Sequence, residues 1–153
     1  MYISARADYV TRALLVLAAA PDGGPVTAAS IAEQQHMPQK FVENSLVDLK
    51  KSGLVSSVRG NAGGFKLARP AAEITVADII RAVDGPLAEI RGERPETMVY
   101  EGPAEHLQHV WVAVRASLRA VLEHVTLEQI VGGELPPPTT QFSDDPDAWI
   151  RRV

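Results

Sequence analysis

TAASIAEQQHMPQKFVENSLVDLKKSGLVSSVRGNAGGFKL, residues 27–67, is the stretch that decides the fold. Thr27 is a good N-cap for a short helix over 28–35, since its hydroxyl can accept from a free N–H of the first turn. Ala29, Ile31 and Ala32 are read as that helix's inner face. His36 and Met37 make the next turn. Pro38 suits the first position of a second helix, where its missing N–H has no partner to lose. That helix runs to about 52, with Phe41, Val42, Leu46 and Leu49 at three- and four-residue spacing, and Gly53 stops it. Residues 54–58 are β-prone, 59–64 form a glycine-rich tight turn, and 65–67 return as a strand. Two short helices joined by a tight turn, then a hairpin, are the parts of a winged helix-turn-helix.

Outward from this stretch the pattern stays mainly helical. On the N-terminal side Ser4 can cap a helix whose buried stripe is Tyr9, Val10, Ala13, Leu14, Leu17 and Ala18, stopped by 21–25. On the other side Thr75 caps a helix through 82 that ends at Asp84-Gly85-Pro86. Residues 91–105 show no period, hold two prolines and four glutamates, and read as a loop. The longest helical pattern runs from 105 to 125, with Leu107, Val110, Trp111, Val114, Leu118, Val121, Leu122 and Val125 repeating. Thr126 caps a last short helix ended by Gly132-Gly133. The tail, with Pro136-Pro137-Pro138, acidic 143–147, Trp149, Arg151 and Arg152, is expected to be flexible. The fold class is therefore mainly α with a small two-stranded β-wing. A winged helix-turn-helix occupies 1–85, a loop 86–104, a long helix and a short one 105–133, and the tail 134–153.

Composition narrows the function. The 153 residues contain no cysteine, so disulfides, zinc-thiolate sites and thiol sensing are excluded. The apolar run 13–20 is too short to span a membrane and has no signal-peptide context, so a cytoplasmic location is expected. The net charge of −4 looks wrong for a nucleic-acid binder, but its distribution does not. Residues 1–70 carry eight Lys/Arg against five acids, and 71–153 seven against fourteen. A basic front and an acidic rear orient the molecule on a polyanion.

The second helix of the pair would enter the major groove N-terminal end first. Gln39, Lys40, Glu43 and Asn44 lie on its early turns, away from the apolar stripe. Gln and Asn can pair with adenine, Glu can accept from cytosine, and Lys can contact guanine or phosphate. Thr27, Pro38 and the free N–H groups of the helix start belong to the same surface. Lys50 and Lys51 come too late for base edges and suit phosphates. Arg59, with Asn61, Gly63 and Gly64 in the wing tip, can approach the backbone closely and reach a minor groove.

Several strings make the sequence recognisable. Residues 4–20, Ile31-Ala32-Glu33, 46–60, Gly63-Gly64-Phe65-Lys66-Leu67-Ala68-Arg69 and Ile74-Thr75-Val76-Ala77-Asp78-Ile79-Ile80 closely resemble the Rrf2-type (IscR/NsrR/CymR-like) family of bacterial transcriptional regulators, over about 1–130. The resemblance implies a homodimer on a palindromic operator, with the long helix supplying the dimer interface through the 107–125 stripe. It also implies that Glu43 and Arg59 touch DNA, and that Arg6 and Tyr9 lie near the phosphates. Cluster-binding relatives carry three cysteines in the loop that here holds Glu93, Glu96, Met98, Tyr100 and Glu101, so no iron–sulfur cluster is expected, and no other cofactor. Asp8, which matches a carboxylate ligand in one branch, reads instead as a charge favouring the helix dipole.

The leading expectation is thus a DNA-binding regulator, a repressor by preference. One alternative is a protein-interaction module that kept the fold. Another is control by a small-molecule effector near Trp111, or by a divalent metal at His106 and His109 with Glu105 and Asp8 nearby in a dimer. No nucleophile–base pair or phosphate loop appears, so an enzyme is not expected; the Gly63-Gly64 turn lacks the Gly-Lys-Ser/Thr ending of a phosphate loop.

Overall fold

A computed structural model describes residues 3–152 of the chain. Ser4 opens the first helix, its Oγ accepting from the Ala7 N–H at 2.9 Å. Helix α1 (Ala5–Ala18) follows and buries Ala7, Val10, Ala13, Leu14, Val16 and Leu17. Helices α2 (Ala28–Gln35) and α3 (Gln39–Lys51) pack against each other and against α1. Leu14, Ile31 and Leu46 are fully buried where they meet. Each such side chain stabilises the fold by roughly 1.5–3 kcal/mol relative to exposure.

Two details differ from the sequence reading. Ala28, not Ala29, packs on the core beside Ile31 and Ala32, and Ala29 is exposed. At about 100° per residue, position 28 falls between 31 and 32 on the inner face, whereas 29 is about 200° from 31 and shares a side only with 32. Pro38 is the N-cap of α3 rather than its first residue, with extended backbone (φ −60°, ψ 122°).

The hairpin pairs β1 (Val55–Val58) with β2 (Gly64–Leu67), antiparallel, with Val55 opposite Leu67 and Val58 opposite Gly64. Val26 adds a one-residue bridge to Phe65, its N–H and C=O both bonded at 2.8 Å. The wing is thereby tied to the entrance of α2.

Helix α4 (Val76–Val83) begins with a reciprocal cap between Thr75 and Asp78. Helix α5 (Leu107–Leu122) is the long one, and α6 (Leu127–Gly132) begins with a second such cap between Thr126 and Gln129. Val76 N donates to Val125 O at 2.9 Å and Leu127 N to Ile74 O at 3.0 Å, so the chain returns to the start of α4. Leu127 and Ile74 are fully buried in the same core as α1 and α3. The short helix after α5 thus completes the winged domain, although it is remote from it in sequence.

The 91–105 loop is built of two 3-10 turns, Pro95–Thr97 and Gly102–Ala104, and is anchored by buried Pro95 and Met98. The tail is not a featureless strand of chain. It forms α7 (Thr139–Ser143) and a 3-10 turn, Pro146–Trp149, capped by Asp145. The Trp149 indole N–H donates to Ser143 O at 2.7 Å, and Phe142 and Trp149 share a shallow apolar depression with Val121 of α5. The tie within the segment is that indole hydrogen bond; both aromatic rings remain largely exposed.

Candidate nucleic-acid interface

The turn between α2 and α3 rests on one backbone conformation. His36 sits in the left-handed region (φ 53°) and its N–H closes α2, while Met37 N donates back to Ala32 O at 2.9 Å. Met37 is buried as the plug of the turn. This fixes α3 with Gln39, Lys40 and Asn44 facing solvent. Gln39 Nε2 donates to Glu43 Oε1 at 2.9 Å, and Lys40 Nζ lies 3.6 Å from Glu43 Oε2. The Glu43 carboxylate is thus held ready between two donors, where a cytosine amino group can compete for it.

Sequence reasoning missed Val47. It lies three residues beyond Asn44 and four beyond Glu43, on the same face of α3, and is 49% exposed. Its own chain leaves about half of this apolar side chain uncovered, and apolar side chains can meet thymine methyl groups in a major groove. The helical spacing could have shown this, had apolar not been equated with buried.

At the other end of α3, Lys50 Nζ donates to Ser57 Oγ of β1 at 2.7 Å, which brings helix end and wing together. Lys51 pairs with Asp48 at 3.4 Å. Arg59 and Asn61 are exposed at the wing tip. Lys66 is exposed on β2, and among the described residues neither Arg59 nor Lys66 has a carboxylate within 4.0 Å. Lys66 is a second exposed cation of the hairpin that the sequence reading left out; it stands opposite Ser56, on the sheet face away from Ser57, near Leu17, Ala18 and Arg69.

Gly63 and Gly64 have a structural duty. A Cβ at Gly63 would stand 2.2 Å from Val58 O inside the hairpin turn, and one at Gly64 would stand 2.6 Å from Val26 O. Both glycines allow backbone to approach backbone, which aims Arg59 without requiring the glycines themselves to meet a ligand.

Arg6 and Tyr9 brace α3 from behind. The Tyr9 ring meets Phe41 edge-on, centroids 5.3 Å apart at 84°, and the Arg12 guanidinium lies over Tyr9 at 5.4 Å. Arg12 also donates to Gln35 at the end of α2. Arg6 pairs with Asp48 of α3 at 3.1 Å.

On α5 the apolar stripe divides in two. Leu118 and Leu122 face Ile80 of α4 and Ala7 of α1, Leu107 and Trp111 are half-buried, and Val125 is buried beyond the helix end. Val125 therefore cannot serve a second chain: its carbonyl and side chain are used in holding α6 to α4. The opposite edge is bare. Val110 is 52% and Val114 36% exposed, Val121 is half-buried, and the small residues Ala113, Ala116 and Ser117 beside them are exposed. No residue of this 16-residue helix is fully buried by its own chain.

The residues of the loop do not fit a thiolate-held iron–sulfur cluster. The chain has no cysteine, and the Glu96 carboxylate is taken by Arg115. Among the described residues of the single chain no three His, Asp or Glu side chains converge as a metal site. No helix among them is long and apolar enough to cross a membrane.

Residues 3–133 match a family profile described as Rrf2, iron-dependent transcriptional regulator. A Mycobacterium tuberculosis protein named as an HTH-type transcriptional regulator is 43% identical over 145 residues, covering 95% of this chain and 90% of its own. The HTH-type transcriptional regulator CymR of Bacillus subtilis is 32% identical over 130 residues, 85% of this chain and 89% of its own. A solved structure of CymR, titled as the global cysteine regulator of that organism, superposes with a TM-score of 0.74, covering 87% of this chain and 98% of the other. These relatives are transcriptional regulators and not enzymes.

Proposed function

Because the chain belongs to the Rrf2 family of DNA-binding transcriptional regulators, we propose that it acts as a homodimeric repressor on a palindromic operator, without an iron–sulfur cluster. The observation that carries the dimer is the bare edge of α5. A helix with exposed Val110 and Val114 among alanines needs a cover, and small residues let a second helix come close. Two-fold symmetry pairs like surface with like, so two α3 helices would meet two half-sites in successive major grooves.

On each half-site Gln39, Lys40, Glu43, Asn44 and Val47 read base edges, while Lys50, Lys51, Arg59 and Asn61 engage phosphates and the minor groove. Thr27, Pro38 and the open start of α3 lie against the backbone. Binding by the dimer would occlude a promoter, in the cytoplasm.

Mobility shift of the chain on its own upstream promoter fragment, across a salt series, tests this. The logarithm of the binding constant should fall linearly with log salt, by about 0.9 per phosphate contact. Arg59→Ala should weaken binding about tenfold. Absence of specific binding at every salt concentration would put the interaction-module reading first.

A further inference from the structure

The last turn of α4, the loop after it and the middle of α5 enclose a cleft of about 320 Å³. Four guanidinium groups line it: Arg81 from α4, Arg94 from the loop, and Arg115 and Arg119 from α5, with Glu89 and Glu96 as the acidic residues. Their pairing is uneven. Arg81 and Arg119 share the single carboxylate of Glu123, the latter at 3.7 Å, and Arg115 takes Glu96. Arg94 has no carboxylate within 4.0 Å among the described residues. Arg115 is only 14% exposed.

Cations gathered from three elements and partly withdrawn from water repel one another, and each loses hydration. A fold that merely needed to staple the loop to α5 has that staple already: Gln108 Nε2 holds the Glu96 carbonyl at 2.9 Å and Arg115 holds its carboxylate. Arg94 exceeds that need, and Arg81 and Arg119 have one carboxylate between them. Guanidinium is the group suited to oxyanions, because its planar fork meets two oxygens at once and stays charged at every working pH.

We propose that this cleft is an effector site for a small multivalent oxyanion, a polycarboxylate or a phosphate ester, held by Arg81, Arg94 and Arg119 with Arg115 at its floor. The ligand would bridge α4, which belongs to the winged domain, and α5, which carries the bare face. Their relative setting determines the distance between two recognition helices in a dimer, so ligand and operator would influence each other's affinity reciprocally. That consequence rests on the regulator reading; binding of the anion does not.

Isothermal titration calorimetry of the whole protein with citrate and with inorganic pyrophosphate, at matched ionic strength in chloride, provides the test. Saturable binding of either probe is expected, weakened by about tenfold or more in Arg94→Gln and in Arg119→Gln and unchanged in Arg59→Ala. Both variants change exposed or half-exposed side chains, and circular dichroism checks that they remain folded. Preference for citrate assigns a carboxylate ligand, and preference for pyrophosphate a phosphate. Heat that survives Arg94→Gln and disappears in Arg59→Ala places the anion on the DNA-facing surface and overturns the proposal. So does the absence of binding of both probes.

Discussion

Replacing Gly64 by Ala tests how the wing is held. The added Cβ would lie 2.6 Å from Val26 O, 2.7 Å from Val26 C and 3.0 Å from Thr27 N, all main-chain atoms, at a backbone φ of +148°. Relief requires the strands to part by roughly half an ångström, since packed backbone does not compress. Parting strains or breaks both 2.8 Å bonds between Val26 and Phe65. At about 1 kcal/mol each, plus about 1 kcal/mol for the unfavourable φ, the cost is about 3 kcal/mol. For a domain of this size that lowers Tm by about 6–12 °C. Gly133→Ala is the comparator: its φ is +74°, but nothing lies within 4 Å of the new Cβ. It should cost the conformational share alone, about 1 kcal/mol or 2–4 °C. Thermal denaturation followed by circular dichroism gives both values, and amide exchange at Val26 and Phe65 reports parting of the bridge. Equal losses of Tm in the two variants, with Phe65 exchange unchanged in Gly64→Ala, would refute the contact argument.

Three further outcomes are expected. Val114→Glu, on the bare edge of α5, should give folded monomer in analytical ultracentrifugation; an unchanged dimer would remove this edge from the interface. Val47→Ala should weaken operator binding about tenfold, the worth of two methyl groups taken from an apolar contact, with Tm unchanged because the residue is exposed. Glu96 is held below the usual carboxylate range by its own main-chain N–H first and by Arg115 second. A depressed carboxyl stabilises the fold above its unfolded pKa and loses that contribution as pH falls through the folded value. Glu96→Gln should therefore lower Tm at neutral pH and converge with the parent protein in acid; a gap that persists in acid would mean that ionisation is not what Glu96 contributes.

Much of the fold was legible because its signals are local. The side chains of Ser4, Thr27, Thr75 and Thr126 each accept from an N–H in the first turn of the helix they were read to cap, and a hairpin stands where 54–67 was read as one, with Gly64, read as the end of the turn, already in the second strand. A cap or turn is decided by a few neighbouring residues whose backbone preferences are intrinsic, so sequence suffices. The exposed part of the candidate surface, Gln39, Lys40, Asn44, Arg59 and Asn61, was legible for the same reason: polar residues between buried periodic positions on an element of known type face water.

What the sequence by itself determined was thus the set of elements, their order and the face of α3 left to a partner. The tertiary structure decided which apolar residues were spent within the chain and which polar ones were brought together. Periodicity marked Val125 and Val114 alike as apolar, yet one closes α6 onto α4 and the other faces outward. Composition marked Gly64 as part of a turn, but only its approach to Val26 shows why a side chain cannot stand there. Arg81, Arg94, Arg115 and Arg119 lie on three separate segments and become a cleft only when α4, the loop and α5 converge. Burial and charge clustering depend on which distant segments arrive at a given surface, and nothing in a residue's immediate neighbours along the chain encodes that arrival.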